Sequence, residues 1–313
     1  MIHRSINKVF LILRNFKVII CVFIVLQTFI MVTSTFAAPI TFNTALPVAK
    51  GEGIFRIQTK YIRSTDDPGP LDRELNVWAL PVVGVYGITG KLAVFGIMPV
   101  LDKKLDLDTP MGRKTRSTSG PGDITFLARY TVWKKDEPGR TFRIAPFAGL
   151  EFPSGEDDEE DSFGKLPQTL QLGSGSWDPS LGIVITKQTL DRQIDASISY
   201  KLNTEAKDFE FGDVARLDIS YQHRISPRKL EFGVPAFVYT VLESSLIWQD
   251  NNRLSGIDDI NSGGTTWFLT PGMQYVEKRF VAEIAVQLPV VQDLNGETLE
   301  NDFTAILSFR VNF

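Results

Sequence analysis

From residue 53 to the C-terminus, apolar and polar side chains alternate in units of about ten to thirteen residues, bounded by clusters of Gly, Pro, Asp and Asn. The last unit is the clearest. Phe303, Ala305, Leu307, Phe309, Val311 and Phe313 fall on one face, while Thr304, Ser308, Arg310 and Asn312 fall on the other. Side chains in a strand alternate between faces, so this segregation suits lipid on one side and water on the other. Twelve such strands are predicted, at 53–64, 75–87, 91–101, 123–134, 140–152, 178–188, 192–202, 213–225, 230–243, 265–276, 279–291 and 302–313.

The connections carry as much information as the strands. Tight joints (ITGK, KDEPG, TLDR, SPRK and VEKR) alternate with long polar segments at 65–74, 102–122, 153–177, 203–212, 244–264 and 292–301. That rhythm is required of an outer-membrane barrel, with tight turns in the periplasm and loops outside. A soluble all-β domain explains alternation but not the rhythm or the terminal Phe313. The expected fold class is therefore all-β: a transmembrane antiparallel β-barrel of about twelve strands. Phe309 and Phe313 are expected to serve outer-membrane targeting, read by the barrel assembly machinery.

Strand phase assigns the lumen. Arg56, Lys60, Arg129, Arg143, Glu151, Asp195, Asp218, Arg224, Glu283 and Arg310 all take the inward phase and are the candidate selectivity residues. The lumen is expected to be polar, with charges of both signs. Tyr86, Tyr130, Phe152, Tyr200, Tyr221, Trp267 and Tyr275 lie near predicted strand ends, as aromatic girdles do. Trp248 is assigned to loop 244–264, where it could line an apolar mouth.

The opposite end of the chain is compatible with export. Arg4, Lys8, Arg14 and Lys17 precede an apolar run from Val18 to Val32, and Thr35, Phe36 and Ala37 offer a signal-peptidase site. A signal peptide over 1–37, cleaved after Ala37, and one barrel domain over 38–313 are expected. Removing four positive charges with the signal takes the formal net charge from −4 to −8, which argues against a nucleic-acid partner. The only cysteine, Cys21, leaves with the signal, so thiol chemistry and disulfides are excluded from the mature chain.

In the middle of the chain, VYGITGKLAVFGIMPV (85–100), GPGDITFLARYTVW (120–133), GLEFPSG (149–155) and GSGSWDPSLGIVITKQ (173–188) resemble the outer-membrane family named for the MetA pathway of phenol degradation. Each motif is glycine and proline punctuation of strands, so their order and spacing carry the resemblance, which covers roughly residues 50 to 313. It implies a barrel of this size and a channel or transporter for small, often aromatic, compounds. No catalytic or binding residues come with it. A long acidic insert after Ser154 departs from the pattern.

Catalytic constellations are scarce. His223, the one histidine after the signal, takes the outward phase of its strand near a periplasmic turn, where it serves better as an interface residue than as a catalyst. No enzyme activity and no cofactor are expected. Six adjacent carboxylates, Glu156, Asp157, Asp158, Glu159, Glu160 and Asp161, are oxygen donors of the kind hard cations prefer, but their spacing matches no EF-hand loop, so they read first as a solvated loop tip. The basic segment carrying Lys103, Lys104, Arg113, Lys114 and Arg116 could pair with lipopolysaccharide phosphates or fold against that acidic loop. The expected partners are thus outer-membrane lipid, lipopolysaccharide, the assembly machinery and a small solute. Passive passage of that solute is the leading reading; a closed barrel working through its charged loops is the alternative.

Overall fold

Each strand hydrogen-bonds to the next and the last returns to the first in the computed structural model, which describes residues 37–228 and 236–313. Among the described residues the ring comprises β1 (Gly53–Ser64), β2 (Glu74–Gly87), β3 (Leu92–Thr109), β4 (Ile124–Tyr130), β5 (Arg140–Phe152), β6 (Asp178–Thr189), β7 (Arg192–Lys201), β8 (Val214–Ser226), β9 (Phe237–Gln249), β10 (Gly264–Val276), β11 (Phe280–Leu294) and β12 (Phe303–Asn312). All pairings are antiparallel. The seam runs from Arg63 opposite Phe303 to Ile54 opposite Asn312, and Phe313 then exchanges backbone hydrogen bonds with Gly53 at 2.7 and 2.9 Å. Closure leaves no free edge, the condition for a sheet to cross a membrane.

Exposure along a strand runs opposite to that of a soluble protein. In β7, Asp195 is fully buried and Ser197 nearly so, whereas Ile194 and Ile198 are 45% and 57% exposed. The polar row faces the interior and the apolar row faces outward. Leu181, Leu217, Leu242, Ile284 and Leu307 continue the outward belt, far more contiguous apolar surface than a water-soluble monomer carries.

Several expectations are corrected. The ninth strand, expected over 230–243, begins at Phe237 and runs to Gln249; residues 229–235 lie outside the described residues. Trp248 is consequently a strand residue, opposite Ala215 and Thr265, and exposed on the outer face rather than lining a mouth. The segment 102–122 is not an open loop. β3 continues to Thr109 and pairs with a further strand, Gly112–Pro121, in a hairpin that rises beyond the ring. The strand expected at 123–134 is interrupted: Arg129 faces Phe147 and Trp133 faces Ile144, so one extra residue bulges before the chain resumes as Trp133–Glu137. Residues 1–36, including most of the expected signal, lie outside the described residues.

The lumen also differs from the uniformly polar one expected. Val83 and Val85 of β2 and Phe95 and Ile97 of β3 line an interior cavity. The opposite faces of the same strands carry Trp78, Val94 and Met98 to the outside. With both faces apolar, period-two alternation disappears from the sequence there, and facing cannot be read from it.

Candidate functional site

Residues 37–48 do not lie outside the barrel. They thread into the lumen from the tight-turn end as an irregular arm that bends at 40–42 and 45, which had no counterpart in the sequence reading. Ile40 and Ala45 are almost wholly buried. Glu243 of β9 holds the arm: its carboxylate accepts the N–H of Ile40 at 2.7 Å, the N–H of Thr41 at 3.0 Å and the hydroxyl of Thr41 at 2.5 Å. From β1, Arg56 and Gln58 donate to the Ile40 carbonyl at 2.7 and 3.1 Å. Arg129 donates its two terminal nitrogens to the carbonyls of Thr44 and Leu46, and Ala45 N–H bonds to Thr186 Oγ1 at 2.7 Å. A segment with no sheet neighbour must place its backbone groups on side chains, and these lumen residues supply them. Gly272 makes room for it: a Cβ there would lie 2.8 Å from Ile40 Cδ1 and 2.9 Å from the Ala285 Cβ.

The ten residues assigned to the lumen fall into separate groups. Arg56, Lys60, Arg129 and Arg310 line one cavity with the arm. Glu283 belongs to the same region, ion-paired to Arg56 at 2.7 Å. Asp195 accepts hydrogen bonds from Thr186, Gln193 and Gln222. Towards the long loops, Glu151 pairs with Lys201 at 2.7 Å and Asp218 with Arg216 at 2.8 Å. Near the tight turns, Arg143 pairs with Asp136 at 3.0 Å, and the Arg224 guanidinium lies 5.4 Å from the Phe237 ring centre. Glu243, Thr186 and Gln274, which also grip the arm, were missed: Glu243 fell at the boundary of a misplaced strand, and the other two are neutral.

The cavity beside the arm measures about 660 Å³. Its lining mixes two kinds of side chain. Arg56, Lys60, Arg129 and Arg310 are interleaved with the apolar Val83, Val85, Phe95 and Ile97: Arg56 is the cross-strand neighbour of Val83, and the Arg129 guanidinium lies 5.0 Å from the Phe95 ring centre.

At the long-loop end the charged segments fold on one another. Arg116 grips Asp161 with two bonds of 2.8 and 2.9 Å, and the Lys114 ammonium lies 3.9 Å from the Phe163 ring centre. The six carboxylates of 156–161 do not converge: Asp157 pairs with Lys207 and Asp158 with Lys165, and no cluster of three or more metal-ligating side chains occurs among the described residues. The glycine-rich motifs meet in a knot. Asp123 accepts the N–H of Gly155 at 2.8 Å and that of Ser174 at 2.6 Å, and a Cβ on Gly173 would lie 2.6 Å from the Gly155 carbonyl oxygen. His223 stacks on outward-facing Tyr221 with ring centres 6.4 Å apart, away from the lumen.

A closed antiparallel ring, apolar outside and charged within, defines a transmembrane β-barrel of the outer-membrane class. The chain belongs to the family described as "Putative MetA-pathway of phenol degradation", whose profile matches residues 71–288. Among solved structures, the COG4313 outer membrane channel from Pseudomonas putida F1 has a similar fold, at 13% identity and a TM-score of 0.66 over 89% of this chain and 100% of that one. The NanC porin aligns more loosely, at 9% identity and a TM-score of 0.46 over 82% of this chain and 98% of that one. No curated protein sequence matches significantly.

Proposed function

We propose that the protein sits in the outer membrane, reached through a signal removed after Ala37 and assembly directed by Phe309 and Phe313, and lets small solutes diffuse through its lumen. The observation that carries this reading is the cavity of about 660 Å³ left between the arm and the barrel wall. Its apolar side suits aromatic or hydrophobic bodies, in keeping with the family's place in phenol degradation. No catalytic step is assigned: His223 faces away from the lumen. The apolar belt meets lipid, and the folded charged loops meet lipopolysaccharide.

The arm favours one competing reading, a closed barrel that works through its loops. Planar-bilayer recordings at high salt separate the two. Discrete conductance steps from the intact protein support the channel, with larger steps after deletion of 38–48. A folded, heat-modifiable barrel that conducts only after that deletion would establish the closed reading instead.

A further inference from the structure

We infer that the cavity beside the arm recognises compact monocarboxylates with an apolar body, such as aromatic carboxylates, an inference that rests on the channel reading. The charged lining is lopsided. Arg56, Lys60, Arg129 and Arg310 face a single lining carboxylate, Glu52, although the whole chain carries a formal charge of −4. Two of these cations are committed differently from Lys60. Arg56 is neutralised by Glu283 at 2.7 Å. Arg129 spends its terminal donors on the carbonyls of Thr44 and Leu46, which satisfies its hydrogen bonds without supplying a negative charge.

Lys60 forms no hydrogen bond or ion pair with any described residue. Its cross-strand neighbours are Ala79 and Ile306, neither of which offers a side-chain acceptor. The nearby carboxylate of Glu243 acts on Lys60 electrostatically but gives its oxygens to neutral donors of the arm and makes no direct ion pair with the ammonium. A cation in a partly desolvated lumen that makes no direct ion pair gains from a ligand that brings a carboxylate into hydrogen-bond contact. Beside these cations, Val83, Val85, Phe95 and Ile97 offer no hydrogen-bonding side chain, so an apolar body suits the space next to the charge. A cavity of about 660 Å³ is large enough to hold a single ring.

The test is equilibrium binding to the barrel purified from outer membranes in detergent, with benzoate, its neutral analogue benzamide and the cation benzylamine as probes. Benzoate is expected to bind roughly tenfold tighter than benzamide, the discrimination of one charge-assisted hydrogen bond, and benzylamine weakest of all. Lys60→Gln should bring benzoate to the level of benzamide, and Lys60→Arg should restore the preference. Equal binding of benzoate and benzamide to the unaltered protein would overturn the site, whether or not the variants fold. Bilayer conductance measured alongside keeps the two ideas apart: conductance without carboxylate preference sinks the site and spares the channel, while preference without conductance does the reverse.

Discussion

Glu243 decides what occupies the barrel. It is fully buried, and its two oxygens hold three donors from Ile40 and Thr41. Hydrogen bonds to a charged acceptor contribute about 1.5–3 kcal/mol each, and orphaned buried donors add a penalty. Glu243→Ala is therefore expected to release the arm at a cost on the order of several kcal/mol in a folded barrel, seen as faster hydrogen exchange of the Ile40 and Thr41 amides with the heat-modifiable band unchanged. Unchanged protection of those two amides would show that the remaining contacts suffice. Legibility at this scale followed the period-two rule: the inward charges of β1, β7, β8 and β12 could be assigned because alternation there is strict. The arm could not, since it is not periodic and its partners see backbone N–H and C=O groups, which every residue carries.

A second residue reports on pH. In the β1–β2 connection, Asp67 receives the Arg73 guanidinium at 2.6 and 2.9 Å and the N–H of Gly69 at 3.0 Å. These bonds, the Arg73 side chain first, hold its carboxyl at about 2. A depressed carboxylate stabilises the folded loop above its ordinary value of roughly 3.9 and loses that contribution only as pH falls through the depressed value. The loop should thus stay clamped at pH 4 and open near pH 2. Carboxyl-carbon NMR of Asp67 would check this, with a midpoint near 4 contradicting the clamp.

At the level of elements, the glycine motifs acquire a physical meaning that spacing could not supply. Gly122–Asp123, Pro153–Gly155 and Gly173–Ser174 come from three segments and converge on the Asp123 carboxylate. That knot pins loop 153–177 so that Leu166 and Leu170 pack against Leu105. Asp123→Ala removes the acceptor of three donors. Loop 153–177 should become cleavable by trypsin at Lys165 while the ring stays intact, and an unchanged digestion pattern would assign loop order to the Arg116–Asp161 pair instead. The twelve strands were legible because turn residues punctuate them. The β3 hairpin was not, because its polar alternation, DKKLDLDT then GRKTRSTSG, lacks the apolar face by which a membrane strand is recognised.

For the whole molecule, net charge and pore charge point in opposite directions. The acidic run 156–161 suggests a mouth that repels anions, but Asp157, Asp158 and Asp161 are each paired with a cation. Surface pairs of this kind largely cancel beyond a Debye length of about 10 Å at 0.1 M salt. The cavity beside the arm is bounded by the cationic lining around Lys60. A unit charge at about 4 Å in water is worth roughly 1 kcal/mol, enough to favour one ion sign about fivefold. The intact pore is therefore expected to prefer chloride over potassium in reversal-potential measurements under a KCl gradient, despite the acidic chain. Lys60→Glu should move the preference towards potassium, and neutralising 156–161 should leave it nearly unchanged. If the loop variant moved the reversal potential more than Lys60→Glu did, the selectivity of this barrel would reside at its mouth rather than beside the arm.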